Sequence, residues 1–144
     1  MNTYFECTIK YEMLIANEYQ KKIVEKYIVE SLSFSEAESR FIEYISPFIS
    51  GEYSIPSIKP FKCSEIFESE LESDDKYYLG KLAFITVDEK TLKEKETYTN
   101  VLIKASDMDN ALSNLKEGMK GTMADYKSVV IKETKIMDVI KYNK

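Results

Sequence analysis

The chain begins with a segment in which single apolar and single polar residues alternate, the period of a half-buried strand. A second apolar set follows a turn near Asn17 and Glu18, so we expect the two segments to form an antiparallel hairpin. The apolar positions are Phe5, Cys7, Ile9, Tyr11 and Met13 in the first strand and Ile23, Tyr27 and Val29 in the second.

A helical pattern follows this hairpin. Ser33 and Glu36 have the spacing of a capping box, which predicts that a helix begins here, and Pro47 predicts its end. The helix is expected to bury a stripe formed by Phe34, Ala37, Phe41 and Ile45. A third strand is predicted over 53–59, and we expect it at a sheet edge because Pro56 cannot donate a ladder hydrogen bond.

The same order of elements recurs in the second half of the chain. Tyr4 aligns with Tyr77, 73 residues later, and one extra residue in the second hairpin raises the offset to 74 through the helix. The pattern predicts a hairpin over 78–104 with its turn at 88–93, a helix capped by Asp107 and ended by Gly118, and a strand over 126–132. Met108, Ala111 and Leu115 are then expected to overlie Phe34, Ala37 and Phe41, with all six buried.

These patterns predict an α+β fold built as a tandem duplication of a strand-strand-helix-strand unit. We expect six main strands in a mainly antiparallel sheet, with two helices. The predicted organisation is a single domain, 1–144, whose repeats 4–67 and 77–140 are joined by the acidic linker 68–76. Glu65 and Asp138 hold matching places, which a cap on a short helical turn explains; a carboxylate pair is the alternative.

The second repeat is more apolar than the first. In its first strand, the face that is polar in repeat one carries Leu79, Ala83 and Ile85, and its third strand is apolar on both faces. We therefore expect repeat two to supply the more central strands. We also expect these three residues to form an interface with a partner protein or with a second copy in a homodimer.

Composition limits the chemistry that the chain can perform. The 144 residues have a net charge of −5 and include no histidine, which excludes His-based catalytic triads and most zinc sites. Two cysteines are too few for a disulfide scaffold, and we expect both to be reduced. We identify no catalytic group, metal site or cofactor, no signal peptide and no membrane span, and we expect a cytoplasmic protein.

Four stretches resemble signature segments of an uncharacterised family, a domain of unknown function found in Bacteroidota and in their phages, including crAss-like gut phages. They are 34–38 (FSEAE), 46–53 (SPFISGEY), 117–126 (EGMKGTMADY) and 136–139 (IMDV). The resemblance covers essentially the whole chain. It implies a cytoplasmic protein of such a bacterium or of its phage, in the latter case acting in the host cytoplasm, and it implies no catalytic residue. The abundance of Lys, Ile, Tyr and Asn favours a phage.

One loop has the composition of an anion site. Gly118, Lys120 and Gly121 resemble a phosphate-binding loop, because glycines let backbone N–H groups approach an anion and the lysine adds charge. The alternative is a helix end followed by a turn.

We expect a small non-enzymatic interaction protein that acts on a host or phage protein. Two alternatives stay open. The first is a single-stranded nucleic-acid-binding accessory protein, which Lys10, Lys22 and the neighbouring Tyr11 on the first hairpin favour. The second is a small inhibitor of host defence that captures a nucleotide.

Overall fold

The computed structural model describes residues 3–15 and 19–142 and has an α+β fold. Within these residues it contains eight strands and two α-helices, with one 3-10 turn, Ser46–Phe48, after the first helix. In chain order the elements are β1 (Tyr4–Ile15), β2 (Tyr19–Glu30), α1 (Phe34–Ile45), β3 (Tyr53–Phe61), β4 (Glu65–Phe67), β5 (Lys76–Val87), β6 (Glu94–Ala105), α2 (Met108–Gly118), β7 (Asp125–Glu133) and β8 (Ile136–Ile140). The predicted class and both helices are confirmed.

The strands form two four-stranded sheets, ordered β3-β1-β2-β8 and β4-β6-β5-β7. The antiparallel hairpins β1–β2 and β5–β6 are confirmed, and so is the turn between Val87 and Glu94. The turn expected at Asn17 and Glu18 lies outside the described residues. The prediction of six main strands omitted β4 and β8, which are strands and not the helical turns expected there.

The chain divides into two compact units, each with one sheet and one helix. Unit 1 consists of Met1–Lys62 and Lys135–Lys144, and unit 2 of Cys63–Thr134. The last strand in sequence, β8, pairs in parallel with β2 of unit 1, while β4 pairs in parallel with β6 of unit 2. Each sheet is therefore completed by a strand from the other half of the sequence. That the two predicted repeats act as a single domain stays a prediction.

Strand registers recur between the units at the offsets found in the sequence. Tyr4 lies opposite Glu30, and Tyr77 lies opposite Lys104. A bulge follows Thr8 in the β1–β3 ladder, and a bulge follows its counterpart Lys81 in the β5–β7 ladder. The recurrence supports the duplication, which itself stays a prediction.

Each unit has its own hydrophobic core between its sheet and its helix. The core of unit 1 is formed by Cys7, Ile9, Tyr27, Val29, Phe41 and Ile45. The core of unit 2 is formed by Tyr78, Leu82, Val101, Ile103, Ala105, Ala111, Leu115 and Met119. The period of two along the strands and the spacing of three or four along the helices produce these faces.

Both helices begin at the predicted caps. Ser33 Oγ accepts a hydrogen bond from the Glu36 backbone N–H at 3.1 Å, and Asp107 Oδ1 accepts one from the Asn110 backbone N–H at 2.7 Å. Glu36 Oε1 in turn accepts from the Leu32 N–H at 2.9 Å. These contacts satisfy backbone donors that the first helical turn leaves unpaired.

Two of the six expected core residues are not buried. Phe34 is 51% exposed and Met108 is 53% exposed, because each is the first residue of its helix. The buried stripe begins one turn later and closes with Ile45 in α1 and with Met119 just after α2. The expected stripe is therefore shorter by its first residue in each helix, and its other positions, Ala37, Phe41, Ala111 and Leu115, are buried as predicted.

The edge position of Pro56 is confirmed, since β3 is the edge strand of its sheet. The expectation of central strands in repeat two is wrong for β7, which is also an edge strand. Val129 is the extra residue of the β7 bulge, and it and Val130 are 44% and 43% exposed. The bulge, and not burial on both faces, explains this apolar run.

Truncating the helix core should separate the buried from the exposed positions. Phe41→Ala and Leu115→Ala should each lower the free energy of unfolding by roughly 2–5 kcal/mol, because both side chains are fully buried. Phe34→Ala and Met108→Ala should cost about 1 kcal/mol or less. Urea unfolding followed by circular dichroism measures all four. Equal losses at all four positions would contradict the observed packing.

Candidate functional site

Unit 1 contains an open cleft of about 1010 Å³, which we call the hairpin cleft. Its walls come from β1, β2, the segment after α1 and the start of β3. The lining residues are Lys10, Tyr11, Glu12, Met13, Gln20, Lys22, Ile23, Val24, Phe48, Ile49, Ser50, Gly51, Glu52, Tyr53 and Ser54. All of these residues belong to unit 1, so one unit forms the whole site.

Strand register and the end of α1 together build the cleft. β1 is the middle of the three strands, and its Tyr11 lies opposite Ile23 on β2 and opposite Tyr53 on β3. After α1, the 3-10 turn ends at Phe48, and Gly51 adopts a φ of +86° before β3 begins. That left-handed conformation favours glycine and lets the chain turn from the helix into the edge strand.

The cleft exposes large apolar side chains. Phe48 is 72% exposed, Val24 is 53% exposed and Met13 is 46% exposed. The Phe48 ring also lies 5.5 Å from the Tyr44 ring, measured between centroids, which anchors it on α1. Such a concentration of apolar surface around one depression is typical of a binding site.

The charges around the cleft are balanced. Lys10 and Lys22 provide two positive charges, and Glu12 and Glu52 provide two negative charges. Glu12 and Lys22 are direct cross-strand partners. The cleft therefore presents no net field that would select for a polyanion or a polycation.

Tyr11 lies in the cleft and Tyr27 beside it, and both phenols have a pKa raised above the ordinary value. Burial, followed by the charge and hydrogen bond of Glu25, raises the pKa of Tyr11 above its ordinary value. The same causes raise the pKa of Tyr27, whose hydroxyl donates to Glu25 Oε1 at 3.2 Å. Tyr53 forms a 3.1 Å hydrogen bond with Ser46 Oγ. The aromatic wall is thus fixed by hydrogen bonds at its hydroxyl groups.

Neither cysteine is an activated nucleophile. Cys7 and Cys63 are both free, and burial is the largest cause that raises the pKa of their thiols, to about 12 and about 11 respectively. The thiolate, which is the reactive form, is scarce at neutral pH. Across residues 3–15 and 19–142, no group of three His, Cys, Asp or Glu side chains could hold a metal ion.

The predicted ligand loop lies at the end of α2. The backbone N–H groups of Met119 and Lys120 donate to carbonyls in the last turn of α2, and that of Thr122 donates to the Met119 carbonyl. Lys120 Nζ forms an exposed ion pair with Glu117 at 2.9 Å. Gly121 has a φ of +86°, as a tight turn requires. These contacts suit the turn interpretation, and anion binding by Gly118, Lys120 and Gly121 stays a prediction.

Gly118 has a packing role that the sequence did not indicate. A Cβ atom at this position would lie 2.6 Å from the ring of Phe67, which belongs to β4. Only glycine lets the end of α2 approach the added strand this closely.

The predicted interface residues Leu79, Ala83 and Ile85 alternate along β5 of unit 2. Ala83 is fully buried within the single chain, while Leu79 and Ile85 are half-buried. A partner would therefore have to contact this face through the latter two. The interface itself stays a prediction.

Charged and aromatic side chains line the same face of β5 and its neighbours. Lys81 Nζ lies 4.7 Å from the centre of the Tyr98 ring, and the Tyr98 hydroxyl donates to Glu96 at 2.8 Å. Glu96 also forms a 2.9 Å ion pair with Lys127. The surface around the predicted interface is consequently more polar than its three apolar residues suggest.

The predicted acidic linker is partly packed in unit 2. Asp74 is 3% exposed, and its carboxylate accepts hydrogen bonds from Ser69 Oγ and, at 3.5 Å, from Asn114 Nδ2. A pocket of about 330 Å³ lies beside these residues. Local hydrogen bonds therefore hold Asp74 inside unit 2, whereas most of the linker around it is exposed.

Sequence reasoning found only part of the hairpin cleft. The sequence favours Lys10, Tyr11 and Lys22 as a nucleic-acid surface, and in the structure all three line this cleft. Phe48 was missed, although Pro47 signals that the helix ends just before it. The alternation of β1 places Met13 on the apolar face of the strand, yet Met13 is 46% exposed and lines the cleft.

Filling the space beside Gly118 tests its packing role. Gly118→Ala should destabilise unit 2 by about 1–3 kcal/mol, because the Phe67 ring must move. In a Phe67→Ala background the same change should be neutral or stabilising by up to about 1 kcal/mol, since alanine favours a helix. Lys120→Ala is a matched control that should be near neutral. Urea titrations measure all variants, and equal effects of Gly118→Ala in both backgrounds would refute the contact.

Comparison with known proteins identifies a family. A family model described as a domain of unknown function, DUF4494, matches residues 3–142. No curated protein and no solved structure matches the chain. No helix among the described residues is long and apolar enough to cross a membrane. The match covers nearly the whole chain, and the protein therefore belongs to the DUF4494 family.

Proposed function

We propose that the protein is a non-enzymatic binding protein whose hairpin cleft holds an apolar segment of a partner protein. The observation that carries this proposal is the exposure of Phe48, Val24 and Met13 around one depression. Covering such side chains removes apolar surface from water, at about 25 cal/mol for each Å². An exposed aromatic residue at the centre of a contact typically supplies much of the binding energy.

Volume and charge favour a protein segment over a small ligand. About 1010 Å³ stands at the upper end of small-molecule pockets, which typically measure roughly 300–1,000 Å³. The two lysines and two glutamates on the rim suit a partner that carries charges of both signs around an apolar anchor.

The state of the nucleophilic groups also supports a binding role. The pKa values of the Cys7 and Cys63 thiols are raised, which opposes thiolate catalysis at neutral pH. Tyr11 in the cleft likewise has a raised pKa, so its phenol is a hydrogen-bonding group and not a base.

The partner belongs to the compartment that the sequence resemblance implies. We place the protein in the cytoplasm of a Bacteroidota cell, encoded by the bacterium or by its phage. A host or phage protein with an accessible apolar segment is then the binding partner.

Single-stranded nucleic acid is the second candidate ligand. Lys10 and Lys22 stand in the cleft with the aromatic residues Tyr11, Tyr53 and Phe48, which is the combination that stacks bases and contacts phosphates. The two glutamates on the same rim oppose a polyanion, and for that reason the protein partner is preferred.

Peptide selection tests the primary proposal. Random peptides displayed on phage are selected on the immobilised wild-type chain, and the best peptide is synthesised with a fluorophore for anisotropy titration. We expect an apolar or aromatic anchor in the selected sequences and at least tenfold weaker binding to Phe48→Ala, because a hot-spot residue is worth about 2 kcal/mol or more. Leu92→Ala is the matched control, since Leu92 is 77% exposed but lies outside the cleft.

Two results would contradict this function. Equal losses in Phe48→Ala and Leu92→Ala would mean that peptides do not use the cleft. A labelled single-stranded oligonucleotide that binds when no peptide is selected, with affinity that falls with salt and in Lys10→Glu or Lys22→Glu, would instead support the second candidate.

A further inference from the structure

The two parallel strand pairings are reciprocal. In unit 1, Ile28 of β2 lies opposite Val139 of β8, and in unit 2, Leu102 of β6 lies opposite Ile66 of β4. Ile28 and Leu102 match at the offset of 74 residues, and Ile66 and Val139 match at 73. Each half of the sequence thus gives its last strand to the other half's sheet in the same register.

Helix α1 contacts side chains of the β8 segment, in addition to the backbone pairing of β8 with β2. Tyr44 of α1 donates its hydroxyl to Asp138 Oδ2 at 3.0 Å. Arg40 Nη2 donates to the carbonyl of Lys141 at 2.9 Å, and its guanidinium lies 4.4 Å from the centre of the Tyr142 ring. This is the arrangement of a peptide bound at a sheet edge, where backbone pairing gives affinity and side-chain contacts give specificity.

Tyr142 is held twice more by the same unit. Its backbone N–H donates to Glu30 Oε1 at 3.0 Å, and its hydroxyl donates to Glu36 Oε1. Glu30 is 9% exposed, so the first of these contacts is well shielded from water. The segment 136–142 therefore fills a groove with a specific side-chain pattern.

We infer that the edge of β2 and the adjoining face of α1 form a strand-accepting groove, and that a second copy of this chain is a partner that can fill it with its own β8, giving a strand-exchanged dimer. The inference does not rest on the hairpin cleft. A β8 from a second copy makes the same contacts as the chain's own β8. The difference in free energy between monomer and dimer is therefore set by how β8 is connected and by the protein concentration.

The β8 strand of a second copy matches the groove better than β4 does, the other strand of the chain that is added in parallel to a sheet. In β4 the position of Asp138 is taken by Glu65, and the position of Tyr142 is taken by Ser69. Ser69 has no ring to stack on Arg40. A second β8 supplies every group that the groove contacts.

The connection before β8 is short. Thr134 is fixed to unit 2, because its N–H and its hydroxyl both donate to the Tyr77 carbonyl, at 3.0 and 2.8 Å. One residue, Lys135, then separates Thr134 from the start of β8. Although this connection lets β8 pair within its own chain, short hinge loops are a known route to the exchange of a strand between copies.

The groove is tested first with a peptide. Val139→Asp in the full-length chain places a carboxylate opposite the fully buried Ile28, which should release that chain's own β8. A fluorescein-labelled peptide of residues 135–142 should bind this variant at least tenfold more tightly than it binds the wild-type chain, whose groove is filled. Peptides with Asp138→Ala or Tyr142→Ala should bind the variant at least tenfold more weakly than the unchanged peptide does.

Exchange between copies is tested next by light scattering. The Val139→Asp chain and the wild-type chain are mixed at about 1 mM, because this is the order of the effective concentration of a tethered strand. The mixture should contain dimers. Failure of the peptide to bind the folded variant more tightly than a scrambled peptide would overturn the groove. Peptide binding without dimers in the mixture would overturn the second copy as its occupant. If circular dichroism shows that Val139→Asp is unfolded, a chain that carries both Asp138→Ala and Tyr142→Ala replaces it, because these changes bury no charge. The same two results would then overturn the inference.

Discussion

Parallel pairing of β2 with β8 and of β6 with β4 is the constraint on which the rest of the structure depends. The antiparallel strands β3-β1-β2 have β3 at one edge, and β8 pairs with the other edge, β2. In the same way, β7-β5-β6 have β7 at one edge, and β4 pairs with β6. Each added strand comes from the other half of the sequence, so neither half supplies a complete four-stranded sheet alone. The need for Gly118 beside Phe67, and for Tyr44 beside Asp138, follows from this added strand.

The two units use one plan but differ where unit 1 forms its cleft. Tyr11 and Tyr53 of unit 1 correspond to Phe84 and Tyr126 of unit 2, whose ring centroids are 6.1 Å apart. The connections from each helix to the following strand both contain a glycine with a φ of +86°, Gly51 and Gly121. Unit 1 also has the exposed aromatic residue Phe48 in this connection, whereas residues 119–124 of unit 2 include no aromatic residue. Binding capacity arises from differences in side chains and loop on a shared arrangement of strands.

Local patterns in the sequence were sufficient for the hairpins, the helix caps and the edge position of β3, because alternation, capping and Pro56 act over a few residues. They were insufficient for β4 and β8, since three and five residues carry too little periodicity and their partners lie far away in sequence. Phe48 was missed for a related reason: exposure depends on what packs against a residue, and an apolar residue near a helix end is usually buried.

The most direct test of this account is a nuclear Overhauser measurement on the isotope-labelled full-length chain. In this topology β8 and β4 each pair with a strand from the other half of the chain. It therefore predicts contacts between the backbone protons of Val139 and Ile28, and between those of Ile66 and Leu102, because these are neighbours in the parallel ladders. Contacts of Val139 with Leu102 and of Ile66 with Ile28 would place each strand in the sheet of its own half. That result would contradict the exchanged topology and the groove built on it.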